Sequence, residues 1–222
     1  MNREIGRLGV LFPTRRRALL WGCTCLAGAL LWSREAGADP TLDELLFRIG
    51  NARATVRTLR ARFNQTRRIG LLASEVRSHG TIILVRPDRL RWELDPPDDV
   101  TFWMGPQGLA YRTAHGQGRL PDAKARMVTA LEDMRTLLGG DLLKLRDRWS
   151  LKVVRDDATG VEIEAASREP AGSGFRSLRL ALAANLAQPT RIELVESANE
   201  RTTIEFDALV LNLAVDDALM RP

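Results

Sequence analysis

The sequence predicts an α+β fold that is mostly β: one large antiparallel sheet accompanied by two helices. Two observations lead to this prediction. Apolar residues alternate with polar ones along several short segments, and clusters of Pro, Gly, Asp and Asn separate these segments. Only two segments carry apolar residues at the three-and-four spacing of a helix.

The first 38 residues have the three regions of a cleavable signal peptide. Residues 1–17 are basic, an apolar run follows from Ala18 to Trp32, and Ala36-Gly37-Ala38 supplies the small residues that a signal peptidase reads. The apolar run is too short for a stable membrane span. We therefore expect export, by the Sec or the twin-arginine route, and cleavage after Ala38, which leaves residues 39–222 as a single domain.

Both cysteines, Cys23 and Cys25, lie inside this apolar run. The predicted mature chain therefore has no disulfide, no thiol nucleophile and no cysteine metal site. An alternative interpretation treats Leu20-Trp21-Gly22-Cys23 as a lipobox, in which Cys23 would be lipidated and anchor the protein. The bulk of Trp21 argues against this alternative.

The predicted cleavage also changes the charge balance. Loss of the six arginines and two glutamates of residues 1–38 lowers the formal net charge from +5 to +1. The apparent pI of about 10.0 therefore does not indicate nucleic-acid binding, and we expect no nucleic-acid partner.

An amphipathic helix opens the domain, from Thr41 to about Thr58. Thr41 and Glu44 form a capping box at its start. Its apolar face repeats at helical spacing: Leu42, Leu45, Leu46, Ile49, Ala52 and Val56. Three arginines lie outside that face: Arg48, Arg53 and Arg57.

Strands follow the first helix. Strict alternation of apolar and polar residues marks segments within Arg89–Leu94, Leu151–Val153, Val161–Glu164, Leu178–Leu182, Arg191–Leu194 and Thr203–Asp207. Each such strand has one apolar face that must be covered.

A second helix interrupts the strands. Asp122 is a suitable cap for its start, and Gly139-Gly140 are suitable to end it. Its apolar stripe consists of Met127, Ala130, Leu131, Met134, Leu137 and Leu138. The glycines of Gly116-Gln117-Gly118 predict a mobile loop on the approach to this helix.

Two architectures would cover the apolar faces of these strands and helices. In one, the sheet curves strongly into a half-barrel, the helices lie on its concave side, and an apolar hollow is left between them. In the other, the same elements close into a packed core without a hollow. The patterning alone favours neither.

No catalytic or metal motif emerges from the sequence. His79 and His115 are far apart in the sequence and neither belongs to a metal-spacing motif. No G-x-S-x-G nucleophile elbow or phosphate-binding loop is present. We therefore expect no enzyme activity, no cofactor and no metal, and a hydrolase built on dispersed carboxylates is the weaker alternative.

Two segments resemble the periplasmic outer-membrane lipoprotein carrier family, LolA. Phe63-Asn64-Gln65-Thr66 matches that family's F-x-Q strand. The segment from Gly80 to Glu93, which contains Arg86-Pro87 and Trp92, matches its G…R/K-P-x-x-(L/F)-x-W strand pair, and a proline turn follows. The resemblance implies the half-barrel closed by helices rather than the packed core.

The resemblance also implies a function and a site. The protein is expected to be a monomeric periplasmic carrier that shields the acyl chains of lipoproteins or a related lipid. Its expected partners are an inner-membrane lipoprotein-releasing transporter and an outer-membrane acceptor. A membrane-anchored acceptor or an envelope-stress sensor of the same fold is the alternative.

The implied ligand-binding lining is apolar: Phe63, Leu84, Leu90, Trp92, Leu94, Met127, Leu131, Met134 and Leu138. Arg86 is the implied lid latch, and we expect its guanidinium to bind the carbonyls at the end of the second helix, just before Gly139.

Overall fold

The computed structural model of the protein describes residues 40–70, 74–120, 126–169 and 174–222. The predicted signal peptide, the predicted helix start at Asp122 and the side chain of Met127 lie outside this description. No helix within the described ranges is long and apolar enough to cross a membrane.

Within the described ranges, two α-helices and two short 3-10 helices accompany the sheet. The α-helices are α1, Pro40–Arg53, and α2, Arg126–Gly139. The 3-10 helices are Leu142–Asp147 and Asp217–Met220. Helix α1 ends earlier than predicted because the residues after Arg53 turn into the first strand, and β-branched Thr55, Val56 and Thr58 favour extended backbone.

The described residues include eleven strands, which form a single antiparallel sheet. In chain order they are β1 Thr58–Ile69, β2 Ser74–Val85, β3 Arg89–Leu94, β4 Val100–Gly105, β5 Gly108–Thr113, β6 Gly116–Leu120, β7 Trp149–Asp157, β8 Gly160–Ser167, β9 Ser177–Ala183, β10 Pro189–Ser197 and β11 Glu200–Leu211. Their order across the sheet is β6-β5-β4-β3-β2-β1-β11-β10-β9-β8-β7, so the first and last halves of the chain meet where β1 pairs with β11.

The sheet is curved and unclosed, which confirms the predicted mostly β half-barrel. Alternate residues of each strand face the concave side, as the two-residue period requires. On β9, for example, Leu178, Leu180 and Leu182 are buried whereas Arg179 is exposed. The apolar residues of this side and of both α-helices join in one core cluster.

The residues Gly116–Gly118, predicted to lie in a mobile loop, belong to β6, which pairs with β5 at the edge of the sheet. The rest of the approach to α2, residues 121–125, lies outside the described residues. Gly118 leaves room for the Tyr111 ring, because a Cβ at this position would come within 2.9 Å of the Tyr111 hydroxyl oxygen. Gly116 has a φ of +149°, in the region that favours glycine, at the start of the strand.

Candidate functional site

An apolar hollow lies between α2 and the concave face of the sheet, with a volume of about 230 Å³. Helix α2 contributes Ala130, Leu131 and Met134, which share one helical face. The apolar wall is completed by Trp92, Leu94, Phe102, Phe175, Leu194 and Ile204, and the polar residues of the lining are Gln65, Arg67, Glu196 and Thr202. The hollow is therefore an apolar chamber with polar residues on part of its boundary.

The end of α2 is held by a buried arginine of α1. Arg53 is only 1% exposed. Its Nη1 donates to the carbonyl oxygen of Leu137 at 3.0 Å, and its Nη2 donates to the carbonyl oxygen of Leu138. These are two of the carbonyls that a helix C-terminus leaves without intrahelical partners, and they carry partial negative charge.

Gly140 makes room for this contact. Its φ of +80° is in the left-handed region that ends many helices, and its N–H bonds back to the carbonyl oxygens of Thr136 and Leu137. A Cβ at this position would lie 2.7 Å from Cδ of Arg53. The glycine therefore both ends α2 and lets the Arg53 side chain pass beneath that end.

The bonds of Arg53 come with an energetic cost. Burial, and secondarily the positive charge of Arg86, lower the pKa of Arg53 to about 10. The direction of this change means that the site disfavours the charged guanidinium relative to water. The hydrogen bonds to α2 therefore oppose a desolvation penalty of considerable size.

Arg86 binds α1, not α2 as expected. Its Nη1 donates to the carbonyl oxygens of Arg53 at 2.8 Å and Val56 at 3.3 Å. Strand pairing explains the difference, because Val85 at the end of β2 pairs with Thr58 at the start of β1. This register carries Arg86 to the turn that joins α1 to β1. Arg86 thus contacts the backbone of the residue whose side chain contacts α2.

A second charged contact holds the middle of α2. Asp133 is 1% exposed, and its Oδ1 accepts a hydrogen bond from Nη2 of Arg148, which precedes β7. Burial raises the pKa of the Asp133 carboxyl, and the Arg148 guanidinium opposes that change. Helix α2 is thus held at two points by charged side chains that are costly to bury.

Comparison with known proteins identifies the family. Residues 54–221 match the family model described as outer membrane lipoprotein carrier protein LolA. The chain belongs to the LolA family. This confirms the resemblance found in the strand motifs.

Relatives of known sequence or structure are distant. An outer-membrane lipoprotein carrier protein from Coxiella burnetii strain CbuK_Q154 is 24% identical over 196 residues, which cover 84% of this chain and 83% of that protein. A DUF1329 family protein from Desulfovibrio piger superposes with a TM-score of 0.50 at 10% identity, over 83% of this chain and 98% of that one. A LolA superfamily protein from Nitrosomonas europaea has a TM-score of 0.43 at 8% identity, over 81% and 97%. The structural likeness to the first of these two concerns the fold alone.

Four of the predicted lining residues of this LolA-family chain border the hollow: Trp92, Leu94, Leu131 and Met134. Four others lie in the adjacent core, each no more than 1% exposed: Phe63, Leu84, Leu90 and Leu138. The Phe63 and Trp92 ring centroids lie 4.6 Å apart, so this core layer directly supports the wall of the hollow.

Other residues of the hollow were not predicted. Leu194 and Ile204 come from the second half of the sheet and carried a signal as members of alternating strands, whereas Phe175 lies just before β9 and carried none. The position of Leu194 and Ile204 beside α2 depends on the β1–β11 pairing, which joins strands far apart in the sequence and carries β10 with it. No local pattern could have located them there.

A larger cleft, of about 530 Å³, lies elsewhere, at the β4–β5 turn and the C-terminal residues. Arg89, Arg119 and Arg221 contribute to its wall, and it does not adjoin α2. The hollow under α2 is smaller but has the apolar wall that an acyl chain needs. Within the described ranges, no three His, Cys, Asp or Glu side chains are grouped to hold a metal ion.

Proposed function

We propose that this protein is a periplasmic carrier that shields the acyl chains of lipoproteins, or of a related lipid, while they pass from the inner to the outer membrane. The observation that carries this proposal is the apolar hollow under α2. In this proposal an inner-membrane lipoprotein-releasing transporter delivers the cargo, an outer-membrane acceptor receives it, and the export signal of residues 1–38 directs the chain to the periplasm.

The energetics of an acyl chain make such a carrier necessary. Each buried CH₂ contributes about 0.8 kcal/mol, so a chain of about fifteen carbons contributes roughly 12 kcal/mol. A lipidated protein does not cross an aqueous compartment against such a penalty. A carrier that buries the chain removes the penalty, but it must then release the chain to an acceptor.

The hollow is small for the proposed ligand. Its volume of about 230 Å³ is below the roughly 300–1,000 Å³ of ordinary small-molecule sites. Loading of a complete acyl chain therefore requires α2 to move away from the sheet. We infer that α2 is the lid, with Arg53 holding its end and Arg86 holding the end of α1 beneath it.

A variant that fills the hollow tests the proposal. Ala130 lines the hollow from α2, so Ala130→Phe places a ring in the space that an acyl chain would occupy. Thr129→Phe is the matched control, because Thr129 is the preceding residue of the same helix and does not line the hollow. The purified protein without residues 1–38 is titrated with a fluorescent fatty acid, and a diacylated lipopeptide is added as competitor.

We expect saturable binding of the probe near one to one, displacement by the lipopeptide, and at least about tenfold weaker binding for Ala130→Phe. Thr129→Phe should bind as the parent does. Absence of saturable binding by the parent, or equal binding by both variants, contradicts the proposal that acyl chains occupy this hollow.

A further inference from the structure

We propose that Arg67, with Gln65 beside it, forms the polar end of the hollow and binds the ester and amide carbonyl oxygens that join acyl chains to the head of the ligand. This inference rests on the proposed function and extends it. It assigns a recognition site to the ester and amide groups of the ligand, next to the hollow that holds its acyl chains.

The floor of the hollow changes from apolar to polar along β1. Phe63, Gln65 and Arg67 share one face of this strand, and only the last two line the hollow. On β11, Ile204 pairs with Gln65 and Thr202 pairs with Arg67, and both of these residues also line the hollow. Both strands therefore change from apolar to polar in the same direction, after Phe63 on β1 and after Ile204 on β11, and the Arg67–Thr202 pair is polar on both strands.

The guanidinium of Arg67 is only loosely occupied. Its Nε is buried and has no hydrogen-bond partner among the described residues. Its Nη2 lies 3.5 Å from the carboxylate of Glu196, which is at the long limit for a hydrogen bond. Since both side chains are partly exposed, this ion pair is weak. Arg67 thus has donors to offer a ligand.

The surrounding charges favour a neutral acceptor over an anion. A guanidinium has five N–H donors and no acceptor, so it can bind a carbonyl, carboxylate or phosphate oxygen. The carboxylate of Glu196 already neutralises part of the charge of Arg67 and would repel a second anion. Ester and amide carbonyl groups are uncharged, so Glu196 does not repel them as it repels an anion. They are also the groups that join the acyl chains to the head of the ligand.

Three variants test this assignment. Arg67→Gln replaces the charged guanidinium with a shorter, neutral amide, so the charge-assisted hydrogen bond is lost. Arg68→Gln is the matched control, because Arg68 is the next residue of β1, is 71% exposed and has an equally loose ion pair, 3.9 Å from Glu75. Glu196→Gln breaks the Arg67–Glu196 pair but leaves Arg67 in place.

Each variant is titrated with three probes: a diacylated lipopeptide, diphenylhexatriene, which has no hydrogen-bonding group, and a fluorescent fatty acid, which is an anion. We expect Arg67→Gln to weaken lipopeptide binding by about tenfold or more, the loss typical of one charge-assisted hydrogen bond. Binding of diphenylhexatriene should not change. Arg68→Gln should bind all three probes as the parent does, and Glu196→Gln should bind the lipopeptide equally well or more tightly.

Several results would overturn the assignment. If Glu196→Gln weakens binding as Arg67→Gln does, the ion pair is structural. If Arg67→Gln weakens the fatty acid more than the lipopeptide, the site selects anions. If Arg67→Gln matches the parent while the parent binds every probe, only this inference fails. If the parent binds no probe, the proposed function fails and this inference fails with it.

Discussion

Replacing Arg53 by Met should loosen α2 without unfolding the sheet. The substitution keeps a long unbranched side chain but removes both hydrogen bonds to the carbonyl oxygens of Leu137 and Leu138. Because these two carbonyls belong to the last turn of α2, the first consequence should be local opening of that helix.

The size of the effect follows from two opposing quantities. Hydrogen bonds from a charged donor contribute about 1.5–3 kcal/mol each, so the two bonds of Arg53 contribute about 3–6 kcal/mol. The pKa of Arg53 is lowered to about 10, which corresponds to about 3 kcal/mol against the charged form. The balance leaves about 0–3 kcal/mol in favour of the docked position of α2.

Hydrogen exchange of the empty protein measures this balance directly. We expect the amides of α2 to exchange faster in Arg53→Met, by up to about two orders of magnitude, since every 1.4 kcal/mol is a factor of ten. The midpoint of denaturant unfolding should change less. Arg48→Met is the control, because Arg48 lies on the same helix and makes an exposed ion pair with Asp156 at 2.8 Å, which contributes about 0–1 kcal/mol.

Two results would refute the reasoning. Unchanged exchange in α2 would mean that Arg53 does not hold the lid. A loss of global stability of about 3–5 kcal/mol, with exchange in α2 and the sheet rising together, would mean that Arg53 is an ordinary buried charge of the core. The double variant Arg53→Met/Arg86→Leu adds a further check. If Arg86 acts on α2 through Arg53, the two substitutions should change the amide exchange of α2 non-additively.

Three further predictions concern other positions. Arg86→Leu removes the bonds to the end of α1, so amide exchange should rise at the α1–β1 turn more than in α2; a rise confined to α2 would contradict this order. The raised folded pKa of Asp133 favours stability below its unfolded value of about 3.8, and this contribution is lost as pH rises through the folded pKa. Relative to Asp133→Asn, the parent should therefore lose unfolding free energy in urea titrations as pH rises above about 4, and parallel curves would refute the assignment. Intact mass of the exported protein should give a chain that begins at Asp39, whereas a diacylated chain beginning at Cys23 would favour the anchored alternative.

Local patterning was sufficient to predict a strand where one of its faces is apolar and the other is charged. Strands β8, β9 and β10 were predicted because Glu and Arg alternate strictly with Ile, Leu and Val. Strands β4 to β6 lack this signal. On β4, the adjacent residues Trp103 and Met104 point to opposite faces and are both buried, so apolar and polar residues do not alternate. The indole N–H of Trp103 donates to the carbonyl oxygen of Leu219. Strand β6 consists mainly of glycine and polar residues.

The hollow was only partly predictable for a different reason. Patterning identifies which face of a strand is apolar, but not which part of that face is covered by a helix. Leu84 and Leu138 were predicted to line the hollow and are instead buried in the core cluster. The role of Arg53 was hidden as well, since its partner Leu137 is 84 positions away and an arginine off the apolar face of a helix is ordinarily solvated.

In the proposed carrier, where α2 is the lid, the charged side chains that hold α2 have a consequence for transfer. Apolar contacts alone would have to be exposed to water when the lid opens, and each would add to the cost of loading. Arg53 and Asp133 behave differently, because burial disfavours the charged form of both, as the lowered and raised pKa values indicate. When α2 moves, these two charges regain water, and part of the energy lost with their hydrogen bonds is recovered. A lid of this kind can stay closed over an empty hollow and still open at a cost that the burial of a few CH₂ groups offsets.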